Sequence, residues 1–182
     1  MKIKVDDSIS LELLDDKHAQ STFQLIDGNR QYLKQWLPWV DNMATEDDFK
    51  GHILDSKDKY LKGTDWPGVI IVDGEAAGRM GMHYIHAQNK IGAIGYWLAP
   101  QFQGKGIITK ACRAMINYGF ETMGLNRIEI KCGTGNYKSL AVPERLHFTK
   151  EGVLRQGEFL YGHFIDLYIY AMLKDEWITT RT

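Results

Sequence analysis

The sequence predicts a single α/β domain built on a mixed sheet, and three observations carry that expectation. Short strands joined by tight turns run from about residue 66 to 98. A strand, a glycine-rich loop and an amphipathic helix follow. Strands and helices then alternate to the C-terminus. The chain has 182 residues, so one domain over 1–182 is the expected organisation. A chain of this length buries roughly 70% of its unfolded surface and can fold without covalent staples.

Taken in order, residues 3–14 alternate loosely and read as a first strand. Lys17 to Asn29 and Glu46 to Lys62 read as helices, the second capped near Thr45 with acids in its first turn. Between them, Tyr32-Leu-Lys-Gln-Trp-Leu-Pro-Trp39 is too aromatic for a solvated loop and is broken by Pro38. Val69 to Val72 is a short apolar run, and Asp73-Gly74 signals a hairpin. Strands follow from about Ala76 to His86 and from Ile91 to Leu98.

Ile107, Ile108, Ala111, Cys112, Met115, Tyr118, Gly119 and Met123 then recur at three- and four-residue spacing, a helix that Gly124 would stop. Arg127 to Cys132 is the next strand and Asn136 to Leu146 the next helix. Phe148 to Leu154 and Gly157 to Leu173 are expected as the two closing strands.

Composition narrows the function. The net charge is −1, with both signs mixed along the chain, which argues against nucleic acid as a partner. No apolar run approaches the ~18 residues that span a bilayer, so no membrane partner is expected. Met1-Lys-Ile-Lys-Val reads as neither a leader nor a lipidation signal, and a cytoplasmic location is expected. Cys112 and Cys132 have no metal-ligand spacing, and His83 and His86, three apart on a strand, point to opposite faces; no metal is expected.

The most informative segment is Leu98-Ala-Pro-Gln101-Phe-Gln103-Gly104-Lys105-Gly106-Ile107-Ile108-Thr109. A strand ends and two glycines stand where a helix begins. The first helical turn has backbone N–H groups without intrahelical partners, plus the positive end of the helix dipole. Glycines let those groups approach a phosphate, and Lys105 adds charge. A tight strand-to-helix turn without a ligand is the plain alternative. A P-loop is excluded because Lys105 precedes Gly106 and no Gly-Lys-Ser/Thr follows. A dinucleotide fingerprint would need a small residue at Thr109 and a parallel wind in place of the third strand of a meander.

Gln101-x-x-Gly104-x-Gly106, after the strand Gly95-Tyr-Trp-Leu98, resembles the acetyl-CoA signature of the GNAT superfamily of N-acetyltransferases. The resemblance covers nearly the whole chain. Trp36-Leu-Pro-Trp39, Asn136-Tyr-Lys-Ser139, and Val142 to Phe148 with Glu151-Gly152 are similar to the RimJ/RimL subfamily, the ribosomal-protein N-terminal acetyltransferases. His147 stands where that family commonly has glycine, which calls the local turn into question.

The resemblance implies a GNAT fold, with a mixed, mostly antiparallel sheet flanked by helices. It also implies acetyl-CoA as co-substrate and an amine acceptor, the N-terminus of a ribosomal protein in this subfamily. Tyr96, Trp97 and Leu98 would lie on a strand that splays from its neighbour and pair through their backbone with the pantetheine arm. Gln103, Gly104, Lys105, Gly106, Ile107 and Ile108 would wrap the pyrophosphate. Asn136 would bond the pantetheine or nearby backbone. Ser139 would sit near the sulfur and assist the leaving thiolate, a role for which Tyr137 and Tyr168 stay open. Glu158 would be the base, and Trp36 and Trp39 would line the acceptor groove.

Each assignment has a structural alternative: a solvated carboxylate for Glu158, a helix-capping serine for Ser139, a core tryptophan for one of the pair. Cys132 is expected as a buried thiol, with direct attack by the amine in a ternary complex. Two other functions remain open. One is acetylation of a small amine such as a polyamine, amino acid or antibiotic. The other is a non-catalytic acyl-CoA-binding module. Relatives of this kind are often dimers, and aromatic residues near the C-terminus such as Tyr161 and Phe164 would suit a homodimer contact or the core equally.

Overall fold

The N-terminal alternation does not continue through residues 3–14. At Asp6 the side chain turns back and its Oδ1 accepts from the backbone N–H of Ser8 at 3.0 Å and of Ile9 at 2.8 Å. That local bonding competes with strand pairing. The segment becomes a hairpin of β1 (Lys2–Lys4) and β2 (Ile9–Leu13) instead of one strand.

The computed structural model describes residues 1–179, so the last three positions of the expected 1–182 domain lie outside the described residues. A 3-10 turn at Asp16–His18 leads into α1 (Ala19–Asp27). The aromatic segment holds a short helix, α2 (Arg30–Leu33), that its sequence did not signal. In α3 (Glu46–Leu61) the expected cap forms, because Thr45 Oγ1 accepts from Asp48 N while Asp48 Oδ2 accepts from Thr45 N.

Strands β3 (Trp66–Val72), β4 (Glu75–His86) and β5 (Ile91–Leu98) form the meander. After it come α4 (Ile107–Glu121), β6 (Arg127–Gly133) and α5 (Tyr137–Arg145). The chain ends in β7 (Thr149–Leu160), β8 (His163–Leu173) and α6 (Lys174–Thr179).

The eight strands form one sheet in the order β1-β2-β3-β4-β5-β6-β8-β7. Every neighbouring pair is antiparallel except β5–β6, which is parallel. The closing strands differ from expectation. A single last strand from Gly157 is replaced by a long hairpin whose tip is Tyr161-Gly162, so Glu158 lies on β7 and not on the final strand. Positive φ at both tip residues, 42° and 94°, fits the reversed turn that twisted hairpins favour. Tyrosine is a poor signal for such a turn, so the sequence hid it.

Two apolar layers cover the sheet. On one face Ile107, Ala111, Cys112, Met115, Ile116 and Phe120 of α4 pack on Ile70, Met80, Met82, Ile94, Ile128 and Ile130. Full burial of each large aliphatic side chain contributes about 1.5–3 kcal/mol. On the other face α1 and α3 bring Ile26, Phe49 and Ile53 onto Val69 and Trp97. His147 takes φ 59°, so the turn that a glycine would serve forms with a histidine in left-handed geometry.

Candidate active site

The site grows out of a fork in the sheet. β5 and β6 pair only over Ile91–Ala93 and Arg127–Glu129. Beyond that point β5 stays bonded to β4 on one side, through Ile94, Gly95, Tyr96, Trp97 and Leu98. β6 stays bonded to β8 through Gly133. Between them opens a wedge in which the outward backbone N–H and C=O groups of β5 meet no strand. Such an edge accepts an extended, amide-bearing chain as it would another strand.

At the open end of the wedge stands the glycine-rich loop. Gly104 and Gly106 take φ 76° and 72°, which is left-handed geometry at both. A side-chain carbon on either would meet only open space. Gly106 is the N-cap of α4, and no side chain caps it. The helical ladder begins with Lys110 N bonded to Gly106 O at 3.1 Å, so the earlier N–H groups of the turn are directed outward. Gln103 uses its side chain differently from the rest of the loop. Its Nε2 donates to Tyr32 Oη at 2.6 Å and to Leu98 O at 3.2 Å, and its Oε1 accepts from Lys138 at 3.1 Å. It thus ties the loop to α2 on one side and to α5 on the other.

At the closed end two groups of side chains stand on opposite faces. Cys132 and Gly133 are successive strand residues and so face opposite sides. On the α5 face, Cys132 Sγ lies 3.2 Å from Ser139 Oγ. Ser139 Oγ donates to Tyr96 Oη at 3.2 Å, and Tyr96 Oη donates to the Ser139 carbonyl at 3.1 Å. Asn136 caps α5, its Oδ1 accepting from Ser139 N at 3.2 Å. Burial pushes both the Tyr96 phenol and the Cys132 thiol up from their ordinary pKa values. Cys132 is therefore held as a thiol, a poor nucleophile.

On the other face, the Trp36 ring and Ile165 Cδ1 lie 3.2 and 3.3 Å from where a side-chain carbon on Gly133 would stand. Glu158 is paired with Ile165 across the β7–β8 hairpin, so its carboxylate belongs to the same face. Half-buried and with no cation in ion-pair contact among the described residues, Glu158 has its pKa raised by desolvation.

The chain matches the family described as the acetyltransferase (GNAT) domain over residues 9–149. It belongs to the GNAT acetyltransferase family. This GNAT chain is 39% identical over 175 residues to YdaF of Bacillus subtilis, provisionally named a ribosomal N-acetyltransferase, covering 96% of each chain. It is 33% identical to the ribosomal-protein-serine acetyltransferase of Escherichia coli, covering 95% of this chain and 97% of that one. Its fold superimposes with a TM-score of 0.93 on RimL, a ribosomal L7/L12 alpha-N-protein acetyltransferase. That structure was solved with coenzyme A in disulfide linkage to a cysteine; it is 31% identical, with 97% of this chain and 99% of RimL covered. The GNAT enzyme is thus an N-acetyltransferase, and the eight-stranded mixed sheet is the family's fold.

Against the sequence-based expectations, hydrogen bonds join Tyr96, Ser139 and Asn136 on the α5 side of the wedge, and Gln103 ties the glycine loop to Leu98. Both tryptophans lie on the face opposite α5, Trp36 against Gly133 of β6 and Trp39 in the α1–α3 layer with its ring 6.4 Å from that of Trp97 of β5. Of the two tyrosines left open beside Ser139, Tyr137 is 79% exposed and Tyr168 is paired with Cys132 across β6–β8, and a third makes the hydrogen bonds to Ser139. It is Tyr96, expected only for its backbone. Its place on the α5 face follows from strand alternation with buried Leu98 and Ile94, a signal available in the sequence once the helix side is known.

Proposed function

We propose that this N-acetyltransferase transfers the acetyl group of acetyl-CoA to the N-terminal α-amine of a protein, ribosomal in kind, by direct attack in a ternary complex. The observation that carries the reading is the division of the closed end of the wedge, with Glu158 and Trp36 on one face and Ser139 on the other. An amine adding to the carbonyl carbon from the first face forms a tetrahedral adduct, and the sulfur expelled from it departs beside Ser139. The similarity to the ribosomal-protein acetyltransferases supports the acceptor class.

Acetyl-CoA supplies the activated acetyl group; the residues of the chain do the rest. Left-handed Gly104 and Gly106, the uncapped start of α4 through Ile107 and Ile108, and Lys105 hold the diphosphate. The unpaired edge of β5 from Tyr96 to Leu98 orients the pantetheine amides, and its N–H groups stabilise charge on the carbonyl oxygen. An α-amino group with a pKa of about 8 is partly protonated at neutral pH. Glu158 takes the proton that the amine sheds, directly or through one water. Its raised pKa brings its basicity nearer to that of the amine. Ser139 offers its hydroxyl to the sulfur as the carbon–sulfur bond breaks. Trp36 provides a flat apolar wall for the acceptor's first residue.

The test is acetylation with isotope-labelled acetyl-CoA of N-terminal peptides from ribosomal proteins alongside spermidine, read by mass spectrometry. Label on the peptide α-amine is expected. Label on spermidine alone would replace the protein acceptor with a polyamine, and absence of turnover with intact CoA binding would make this a binding module.

A further inference from the structure

Tyr96 sits three residues beyond the last β5–β6 pair, where the two backbones have already parted. Its side chain crosses the wedge on the α5 face and reaches Ser139, 43 positions along the chain. The protons in this contact can be assigned by counting. A phenol carries one proton and can accept two. The Tyr96 proton goes to the Ser139 carbonyl at 3.1 Å, so the bond between the two hydroxyl oxygens at 3.2 Å uses the Ser139 proton. With that proton spent, the contact between Ser139 Oγ and Cys132 Sγ at 3.2 Å is donated by the thiol. The chain of bonds runs one way: Cys132 S–H to Ser139 O–H, Ser139 O–H to Tyr96 O–H, Tyr96 O–H to the Ser139 carbonyl.

We propose that Tyr96 is a positioning residue that holds the Ser139 hydroxyl proton in readiness for the departing sulfur. The inference rests on the reading of Ser139 as the group that hydrogen-bonds that sulfur. In the resting protein the Ser139 proton lies on a neutral phenol oxygen, a weak acceptor. A developing thiolate is a much stronger one. As the carbon–sulfur bond breaks and its electron pair stays with sulfur, the Ser139 O–H turns from Tyr96 to the sulfur. No proton changes its heavy atom. Tyr96 keeps its own bond to the carbonyl, and Ser139 Oγ still accepts from Cys132, so each group keeps a partner while the bond is exchanged. Solvent protonates the thiolate after release.

This role is separable from a packing strut between β5 and α5. The variants Tyr96→Phe, Ser139→Ala and the double variant are compared in the full-length enzyme, with kcat, the KM for acetyl-CoA, and CoA binding by calorimetry. Each single variant is expected to lower kcat about tenfold, with KM and CoA affinity changed less than about twofold. The double variant is expected to lose about tenfold as well, because the two residues act through one bond. A loss of about a hundredfold in the double variant, or an unchanged kcat in Tyr96→Phe beside a reduced one in Ser139→Ala, overturns the role of Tyr96 alone. An unchanged kcat in Ser139→Ala overturns this inference together with the reading of Ser139.

A second measurement needs no variant. In protein carrying carbon-13 at the tyrosine ring carbon that bears the hydroxyl, the Tyr96 signal is expected to move when CoA is bound above the thiol pKa, and to stay in place with desulfo-CoA. Equal shifts with both ligands, or none with either, would overturn the inference.

Discussion

The Trp36 indole lies 3.2 Å from the place where a side-chain carbon on Gly133 would stand, so the glycine leaves the room that the ring occupies. Because Ile165 closes the same space at 3.3 Å, an added methyl group has nowhere to go without moving one of them. Gly133→Ala should displace Trp36, raise the KM for the acceptor several-fold and leave CoA affinity near that of the parent. Steady-state kinetics with both substrates varied checks this.

Glu158 carries two predictions of opposite sign. Replacing it with glutamine should lower kcat/KM by about 10²–10⁴-fold, the range for a general base. The parent's acid limb should lie above the ordinary carboxylate range, since desolvation raises this pKa, and the limb should vanish in the variant. For stability, a carboxyl whose folded pKa is raised favours the folded state fully below its unfolded pKa, near about 4.3, and loses that contribution as pH rises through the folded value. Glu158→Gln should therefore melt at a higher temperature than the parent at pH 7, and the gap should close below about pH 4. Thermal melts at the two pH values test it.

Gly106→Val places a branched side chain at φ 72°, at a cost of about 1–2 kcal/mol for left-handed geometry, and fills the open space in front of α4. CoA affinity measured by calorimetry should fall by tenfold or more, with the far-ultraviolet spectrum retained.

His147 presents the reverse case, a side chain where the backbone asks for none. Its φ of 59° disfavours a residue with a β-carbon. His147→Gly should stabilise by about 1 kcal/mol, or a rise of roughly 2–4 °C in Tm. Activity should be unchanged.

The sequence was most informative where local patterns act alone. Asp73-Gly74, the run from Ile91 to Leu98 and the spacing from Ile107 onward each specify their element without help from distant residues. Legibility failed where one side chain overrides a pattern, as Asp6 does in the N-terminal hairpin, or where an atypical residue forms a turn, as Tyr161 does. For the site, the left-handed turn at Gly104 and Gly106 was legible because glycine takes positive φ without a steric cost. Tyr96 was not, because its partner lies 43 residues away and only the packing of α5 on the sheet brings them together. Trp36 and Trp39 could not be told apart, since three residues along an irregular segment give no periodicity to assign faces.

Beyond Ala93 and Glu129 the fork leaves β5 and β6 unpaired, with Trp36 on one face of the sheet and Ser139 on the other. On the proposed function, acceptor and coenzyme would meet from opposite faces, so the acetylated product would leave past Trp36 while coenzyme A still lay along β5, and neither product would block the other's exit.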